Sequence, residues 1–591
     1  MSTNFGERLM EQRLSLPSLV HDLNSDGRLS DSDLKNIGNV AVGAVHPLVY
    51  LAEQKLADAA HSGTFLTMDV LLTWLGEKCG QPVYQIDPLK INVGAIADVM
   101  SLAFAQRHKI LAVEVRDDAV VIASVEPYML AWESNLEHVL RKPIQRVLAD
   151  PRDIAKHTAE FYSMAVSVRG AHGAGKVESA AGVTNLEQML ELGSMKEPDA
   201  NDQHIVNIVD WLLQYAFEQR ASDIHIEPRR EVGNVRFRID GVLYSVYELP
   251  QQVAAAVTSR IKILGRMDVA EKRRPQDGRL KTRTPKGSEV ELRLSTLPTA
   301  FGEKLVMRIF DPEVLQRTFA QLGLANRDLE NWNDMTAAGN GIVLVTGPTG
   351  SGKTTTLYST LRKLATSEVN VCTIEDPIEM VEGAFNQMQV NHNIDLNFSS
   401  GVRALMRQDP DIIMVGEIRD LETANMAVQA ALTGHLVIST LHTNDSPASI
   451  SRLLELGVPS YLIKATVRGI MSQRLVRVLC SDCKTFTALD QVAWSQLTHP
   501  WKVKAPEQMA QPVGCRACRD TGYMGRQGIY EVLVNTPGVQ ELILPQLDTT
   551  KIRETAMAEG MHTLRISGAA RVAMGQTTIE EVMRVAPMLD A

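Results

Sequence analysis

The segment Gly347-Pro-Thr-Gly-Ser-Gly-Lys-Thr354 constrains this chain more than any other part of its sequence. It fits the pattern G-x-x-x-x-G-K-[ST], in which glycines let backbone N–H groups approach phosphate oxygens. The apolar run Gly341–Val345 precedes the segment, and a helical pattern beginning near Thr355 follows it. A strand, a loop and a helix in this order direct the positive end of the helix at the same anion. The sequence therefore predicts a nucleotide-phosphate site in an α/β fold.

Two side chains of this loop have specific expected tasks. Lys353 is expected to reach the β- and γ-phosphates, and the hydroxyl of Thr354 is expected to ligate Mg²⁺. The predicted nucleotide contacts cover the loop and the first helical turn: Gly347, Pro348, Thr349, Gly350, Ser351, Gly352, Lys353, Thr354 and Thr355. The loop thus predicts ATP as ligand and Mg²⁺ as cofactor.

Two acidic clusters follow apolar strands farther along the chain. Glu375 begins the cluster Glu-Asp-Pro-Ile-Glu after Val371–Ile374, and Glu417 follows the strand Ile412–Val415. Hydrolysis requires acidic groups near Mg²⁺ and the attacking water. A doubly wound sheet binds its ligand beyond the carboxyl ends of its strands, so both glutamates are predicted catalytic residues. Glu417 is also a predicted magnesium ligand, and which glutamate acts as general base stays open.

Two histidines flank the apolar strand Leu436–Thr440. His435 precedes this strand and His442 follows it. A neutral histidine can donate a hydrogen bond to a phosphate oxygen, and that contact is lost after hydrolysis. We therefore predict that both histidines sense the γ-phosphate; the alternative is that they are ordinary packing residues.

Four of the six cysteines form two close pairs, Cys480-x-x-Cys483 and Cys515-x-x-Cys518. Four thiolates suit a structural, tetrahedral Zn²⁺ site. The 31 residues between the pairs exceed the usual gap of about 15–20 residues, which is harmless if the insert loops out. The competing interpretation is a redox pair, but two pairs without a thioredoxin-like context favour zinc.

Composition limits where the chain works and what it binds. The 591 residues carry a net charge of -10, which does not support a wholesale basic surface for nucleic acid. No apolar stretch approaches the roughly 18–20 residues of a spanning helix, and Met1–Arg8 lacks a signal-peptide core. We expect a cytoplasmic protein whose membrane role comes only through partners.

Changes in composition and hydrophobic pattern along the chain predict several segments. Residues 1–168 mix helix and strand signals without a catalytic constellation, and 169–202 have the composition of a flexible linker. Residues 203–310 alternate helices with short strands and indicate a small α+β domain. From 311 to 591, buried strands between helices indicate a mostly parallel sheet, with a cysteine insert at 480–530 and a helical C-terminal part.

Five motifs in this order resemble those of the secretion ATPases that power type II secretion and type IV pilus assembly. They look like the family's Walker A, Asp box, Walker B, His box and tetracysteine segments, which here are Gly347–Thr356, Ile374–Glu379, Arg407–Asp420, Thr433–Asn444 and Gly514–Tyr523. The resemblance covers roughly 203–591. It implies a RecA-like ATPase domain at 311–591, a PAS-like domain at 203–310 and an N-terminal adaptor domain at 1–168.

The resemblance also implies an assembly and a set of arginines. Members of this family are homohexamers in which arginines of the PAS-like domain reach the phosphates. Arg279 and Arg293 match the segments that carry those arginines, with Arg238 a weaker candidate. Such guanidinium groups would stabilise transition-state charge and couple hydrolysis to domain rotation. The alternative for each of them is a surface salt bridge.

The function that follows is a hexameric motor that hydrolyses ATP to drive assembly of pilin or pseudopilin fibres. Its expected partners are an inner-membrane platform protein and cytoplasmic adaptor proteins, with nucleic acid unexpected. Two other functions remain open: a DNA-translocating or DNA-uptake ATPase, since RecA-like cores serve many tasks, and a nucleotide-gated scaffold without turnover. The sequence does not separate the secretion branch from the pilus branch.

Overall fold

The computed structural model describes residues 13–30, 33–34, 37, 45–61, 64–88, 90–171, 199–285, 287–310, 317–324 and 326–586. The chain divides into two units, Met1–Ile309 and Phe310–Ala591. Most of the predicted linker, residues 172–198, lies outside the described part. No described helix combines the length and the hydrophobicity that a membrane crossing requires.

The first unit combines short helices with two sheets. Its helices are α1 (Leu16–Ser25), α2 (Pro47–Glu53), α3 (Met68–Cys79), α4 (Val93–Ala97), α5 (Leu102–His108), α6 (Glu133–Leu140), α7 (Pro151–Ala171), α8 (Gln203–Glu218) and α9 (Gln251–Leu264). Its strands are β1 (Ile110–Val115), β2 (Val120–Ser124), β3 (Ile144–Leu148), β4 (Asp223–Pro228), β5 (Val232–Ile239), β6 (Val242–Pro250), β7 (Gln276–Arg283), β8 (Glu289–Thr299) and β9 (Gly302–Phe310).

The N-terminal part of this unit contains the predicted hairpin. Strands β1 and β2 pair antiparallel across the Asp117-Asp118 turn, and β3 adds in parallel to β2. Every residue of β2 is buried, as its continuous run of β-branched and small apolar residues requires. Helix α7 extends to Ala171, past the predicted domain end at residue 168.

The C-terminal part of the unit is a six-stranded sheet in the order β6-β5-β4-β9-β8-β7. Side chains of β5 alternate between buried and half-buried, and helix α8 has the apolar face expected from its Ile205, Ile208 and Leu212 spacing. The fully buried ammonium of Lys262 donates to Glu303 Oε1 at 2.7 Å. A buried pair of this kind holds α9 against the β8–β9 hairpin.

The second unit continues with helices and strands in alternation. Its helices are α10 (Phe319–Leu322), α11 (Asn326–Thr336), α12 (Lys353–Leu364), α13 (Phe398–Leu405), α14 (Leu421–Leu432), α15 (Ser446–Glu455), α16 (Ser460–Thr466), α17 (Gln491–Thr498), α18 (Pro537–Leu542), α19 (Thr549–Ala558), α20 (Leu564–Ala573) and α21 (Ile579–Val585). Its strands are β10 (Gly341–Thr346), β11 (Val371–Glu375), β12 (Asn386–Gln389), β13 (Ile412–Val415), β14 (Leu436–Leu441), β15 (Val467–Leu479), β16 (Thr485–Ala488), β17 (Gln508–Gln511) and β18 (Tyr523–Val534).

A seven-stranded sheet in the order β12-β11-β13-β14-β10-β15-β18 forms the centre of this unit. All neighbours pair in parallel except β15 and β18. Ile342 and Leu344 enter one hydrophobic core, whereas Val343 and Val345 enter another. Since successive side chains of a strand point to opposite faces, the sheet is covered on both faces, as predicted for an α/β domain.

Candidate functional site

The phosphate loop connects β10 to α12 and needs its glycines for steric reasons. Gly350 and Gly352 have φ angles of +80° and +89°, which lie in the left-handed region. A Cβ atom on Gly352 would lie 2.7 Å from Gln473 Nε2, and one on Gly347 would lie 2.6 Å from the carbonyl oxygen of Gln473. The loop therefore packs closely on β15, and only glycine fits at these two positions.

Lys353 begins α12 and spans the mouth of the loop. Its Nζ donates to the carbonyl oxygens of Gly347 at 2.7 Å and Pro348 at 3.1 Å. Burial and the charge of Arg474 lower the pKa of Lys353, Glu417 opposes both, and the net result is a pKa of about 8. An anionic ligand beside this ammonium would therefore favour its protonated form.

Two hydroxyl groups of the loop have the chemistry that a nucleotide site needs. Ser351 is buried, and its Oγ has no hydrogen-bond partner among the described residues. Burying a hydroxyl without a hydrogen-bond partner costs free energy, and a bound ligand could supply that partner. Thr354 is half-buried in the first turn of α12. Its hydroxyl and the carboxylate of Glu417, whose charge acts on the adjacent Lys353, are oxygen ligands of the kind that Mg²⁺ prefers, so the residues present fit this cation.

The parallel pairing brings the carboxyl ends of four strands to one edge of the sheet. Thr346 of β10 pairs with Leu441 of β14, and Val415 of β13 pairs with Ser439 of β14 and Ile374 of β11. The phosphate loop and the residues that follow β11, β13 and β14 therefore share this edge. It is where a ligand crevice is expected in a doubly wound sheet.

Glu417 and His442 meet at this edge. The Glu417 side chain is only 12% exposed, and its carboxylate pairs with the Arg419 guanidinium and lies 3.4 Å from His442 Nε2. Partial burial lowers the pKa of His442, and the charge of Lys353 lowers it further. The imidazole is therefore neutral near pH 7 and can donate a hydrogen bond to an anionic oxygen.

Glu375 lies at the predicted edge, as the last residue of β11, and its role there stays a prediction. It is buried, and its carboxylate accepts hydrogen bonds from Tyr358 at 2.7 Å, Thr373 at 2.7 Å and Gln387 at 3.2 Å. The pKa of Tyr358 is raised by burial and by this neighbouring carboxylate. A carboxylate with this many donors is suited to hold the segment that follows β11, not to approach a water molecule.

That segment also contains Glu379, the last residue of the acidic cluster, which is not among the predicted catalytic residues. The backbone N–H of Glu379 lies 3.4 Å from Glu375 Oε2, and Glu379 itself is half-buried. The signal that could have identified it is the strand pattern. Glu375 is the last residue of a fully buried strand, so the acidic residue four positions later is the one nearer the surface.

His435 is not brought to this edge. It precedes β14, and its backbone carbonyl accepts from Gly341 at the start of β10, at the opposite edge of the sheet from Lys353. Its Nδ1 lies 2.8 Å from the carbonyl oxygen of Ala430 and 3.1 Å from Thr433 Oγ1. This corrects the expectation that both histidines face the phosphates, because His435 instead ties the end of α14 to the sheet.

The predicted arginines lie in the first unit on neighbouring strands. Arg279 of β7 and Arg293 of β8 are direct cross-strand partners, and Arg279 Nη1 lies 3.4 Å from Glu291 Oε1. Arg238 lies 3.8 Å from Asp223 and donates to the carbonyl oxygen of Gly241. Each has a protein partner within its own unit, and a role at the phosphates stays a prediction.

The four cysteines of the two pairs form one cluster, as predicted. All four Sγ atoms lie within 4.8 Å of one another, and Cys480–Cys515, Cys483–Cys518 and Cys515–Cys518 are each 3.7 Å apart. Zinc–sulfur bonds of about 2.3 Å in a tetrahedron place the sulfurs about 3.8 Å apart, so the cluster fits Zn²⁺. The gap between the pairs holds β16, α17 and β17.

A phosphate loop on a parallel sheet, with a carboxylate and a histidine at the same edge, is the arrangement of a P-loop nucleotide-binding domain of the RecA-like class. Residues 198–584 match the family described as Type II/IV secretion system protein, and residues 79–168 match the MshEN domain. The chain belongs to the Type II/IV secretion system protein family. This confirms the resemblance that the five motifs carried and the predicted fold class.

Known relatives of the chain include proteins from both branches of this family. It is 54% identical over 574 residues to the Type IV pilus assembly ATPase TfpB of Acinetobacter baylyi, covering 96% of this chain and 98% of that protein. It is 38% identical over 518 residues to the Type IV pilus assembly ATPase PilB of Myxococcus xanthus, covering 87% and 90%. It is 43% identical over 400 residues to Type II secretion system protein E of Pseudomonas aeruginosa, covering 68% and 78%.

Solved structures offer a more distant comparison. The pilus retraction motor PilT with bound ADP is 26% identical, with a TM-score of 0.46, covering 64% of this chain and 95% of that one.

Proposed function

We propose that this protein is a cytoplasmic motor that hydrolyses ATP to ADP and phosphate and thereby drives assembly of type IV pili. The observation that carries the proposal is the edge of the sheet where Lys353, Glu417 and His442 lie together. The pilus branch is favoured because the match to the A. baylyi pilus assembly ATPase extends over 96% of the chain, whereas the P. aeruginosa secretion protein matches 68%.

Nucleotide binding falls to the loop and to Lys353. The backbone N–H groups of Gly347 and of residues 349–355 surround the phosphates, and the ammonium exchanges its contacts with Gly347 and Pro348 for phosphate oxygens. Thr354 and Glu417 would hold Mg²⁺. Charge on the β- and γ-phosphate oxygens is neutralised when that cation is bound. His442 donates its Nε2 hydrogen to the γ-phosphate and loses this partner after hydrolysis.

Hydrolysis requires a carboxylate that accepts a proton from the attacking water while the bond between the γ-phosphorus and the ADP oxygen breaks. We assign this role to the acidic residues at the carboxyl edge, Glu417 and the segment that ends at Glu379. Glu375 positions that segment through its buried hydrogen bonds. Its predicted effect on catalysis is therefore indirect.

The assembled motor is proposed to be a homohexamer. In it, Arg279 and Arg293 of the PAS-like segment would add positive charge at the phosphates, so that hydrolysis and domain rotation depend on each other. The division into adaptor (1–168), linker (169–202), PAS-like (203–310) and RecA-like (311–591) segments belongs to this proposal. The adaptor segment would contact an inner-membrane platform and its cytoplasmic adaptor proteins.

The test combines a purified protein with its host. Wild-type protein should release phosphate from ATP, and Lys353→Ala should not; full hydrolysis by that variant would refute the assignment of the loop. Deleting the gene should remove surface pili in electron micrographs and leave exoprotein secretion intact. The opposite pattern would move the protein to the secretion branch. Strong stimulation of the ATPase by DNA would favour a translocase instead.

A further inference from the structure

The loop from His442 to Ser446 follows β14 and carries the histidine that faces the catalytic edge. Thr443 anchors this loop to the strand that leads into the phosphate loop. Its N–H donates to Thr346 Oγ1 at 3.0 Å, and the two threonine hydroxyl oxygens are 2.6 Å apart. Thr346 immediately precedes Gly347. A displacement of the histidine loop would therefore move the residue from which the phosphate loop begins.

A buried arginine holds the same loop from the side of β15. Arg474 is 4% exposed, and its Nη2 donates to the carbonyl oxygen of Asn444 at 2.7 Å. Its Nε donates to the carbonyl oxygen of Val585, the last residue of α21, at 3.2 Å. A Cβ atom on Gly347 would lie 3.0 Å from its Nη1. Arg474 thus touches the histidine loop, the phosphate loop and the end of the last described helix.

A buried glutamate joins two helix N-termini beside this arginine. Glu531 of β18 is 1% exposed, and its Oε1 accepts from the N–H of Ser446 at 2.7 Å. Its Oε2 accepts from the N–H of Leu564 at 3.3 Å. Ser446 begins α15 directly after the histidine loop, and Leu564 begins α20. One carboxylate therefore ties the loop to α20 and satisfies an unpaired N–H of each helix.

A second ion pair makes the third connection. Asp445 caps α15 by accepting from the N–H of Ala448 at 2.8 Å, and its other oxygen lies 3.0 Å from Arg553 Nη2. Arg553 belongs to α19, and both side chains are close to 90% buried. The helices α19, α20 and α21 each therefore make one polar contact with the histidine loop or with a side chain that holds it.

We propose that Arg474, Glu531 and Arg553 are positioning residues that set the orientation of His442 and transmit the nucleotide state to the C-terminal helices. This inference rests on the proposed ATPase function. A buried polar network is stable only while every member keeps its partner, so it has few alternative arrangements. Movement of the loop when the γ-phosphate contact is lost must then break these contacts or carry the three helices with it.

The network contains ionisable groups of both signs. Two carboxylates, Asp445 from the cap of α15 and Glu531 from β18, face two guanidinium groups, Arg474 from β15 and Arg553 from α19. Burial and the charge of Asp445 raise the pKa of Glu531, the Ser446 N–H, Arg553 and the Leu564 N–H lower it, and the net result is a pKa of about 7. The protonation state of the network consequently changes near neutral pH, which gives the proposal a specific readout.

The test uses the full chain and Glu531→Gln, which keeps size and one acceptor but cannot ionise. The assay is run below the Tm of every variant. In Glu531→Gln we expect kcat to fall by about tenfold or more, because a misplaced catalytic group slows the chemical step. KM should change by less than about twofold. The pH dependence of kcat between about pH 6 and pH 8 should also flatten. Arg553→Met should give a similar loss of kcat and Arg553→Lys a partial recovery.

Arg452→Met is the matched control, because this arginine forms an exposed ion pair on the same helix α15. An unchanged kcat and pH profile in Glu531→Gln, or a loss that follows Tm alone, would refute the proposal. A second measurement does not depend on turnover: a non-hydrolysable ATP analogue should slow hydrogen exchange in α20 of the wild type and not of Glu531→Gln. If the analogue slowed hydrogen exchange in α20 equally in the wild type and in Glu531→Gln, the positioning role would also be refuted. Absence of ATP hydrolysis by the wild type would refute only the proposed function.

Discussion

The ammonium of Lys353 is expected to titrate in the range where the protein can be assayed. Burial and the positive charge of Arg474 lower its pKa, Glu417 compensates only in part, and the net result is a pKa of about 8. The negative charge of bound ATP favours the protonated lysine, so its pKa must rise on binding. Binding of ATP at higher pH is therefore coupled to uptake of a proton.

The size of this effect follows from the pKa alone. When only the protonated lysine binds, the apparent Kd is multiplied by one plus the ratio of neutral to charged lysine in the free protein. With a pKa of about 8, the Kd should rise about tenfold between about pH 7 and about pH 9. Close to pH 8, each binding event should take up about half a proton.

Isothermal titration calorimetry measures both quantities. The Kd for ATP is determined across this pH range, and the heat at pH 8 is compared between buffers of different ionisation enthalpy. The phosphates of ATP are already ionised in this range, so the ligand contributes little to the trend. Lys363→Met on the same helix is the control and should behave as the wild type. A Kd that stays constant, with heats independent of buffer, would show that Lys353 does not titrate here.

Three further predictions concern catalysis, metal and stability. Glu417→Gln should bind ATP but lose about 10²–10³-fold in phosphate release, because a charged oxygen ligand at the catalytic edge is removed. Cys515→Ser should lose about one equivalent of zinc in metal analysis and lower the Tm by about 5–10 °C. Lys262→Met should cost about 3–5 kcal/mol in urea unfolding, since it leaves the carboxylate of Glu303 buried without its cation.

Each of these three has a control within the chain. Glu455→Gln, on the exposed face of α15, should hydrolyse ATP as the wild type does. Cys79→Ser should retain zinc, because Cys79 lies outside the sulfur cluster. Adding Glu303→Gln to Lys262→Met should recover much of the lost stability. If the double variant is no more stable than the single one, the buried carboxylate is not the cause.

Local features of the site could be predicted from the sequence because residues close to one another in the chain determine them. The phosphate loop, its flanking strand and its helix depend on one short segment, and the structure has them at β10 and α12. Glu417 and His442 could be placed because carboxyl ends of parallel strands share an edge. The same rule, applied to His435, would have excluded it, since that residue precedes its strand. The error came from treating both ends of one strand as equivalent.

Features that depend on distant residues could not be predicted in this way. Nothing near Glu375 in the sequence reveals that Tyr358 and Gln387 will surround its carboxylate. The network of Arg474 and Glu531 joins segments separated by dozens of residues. Its only sequence signal is a charged residue among the mostly apolar residues near it, at Arg474 in β15 and at Glu531 in the run Ile-Tyr-Glu-Val-Leu-Val of β18. Such a residue must find a partner when buried, but the partner is set by tertiary packing.

The long antiparallel pairing of β15 with β18 connects the cysteine cluster to the network around the histidine loop. Leu479 pairs with Tyr523 at the end that carries the cysteines, and Ser472 pairs with Glu531 farther along. Seven residues of strand separate the two places, about 23 Å at the usual rise. A one-residue slip would turn Glu531 to the other face of the sheet and break its bonds to α15 and α20. If the four thiolates bind one Zn²⁺, that ion would fix the register at the end that carries the cysteines, and it would act on the same strand pairing as the buried glutamate.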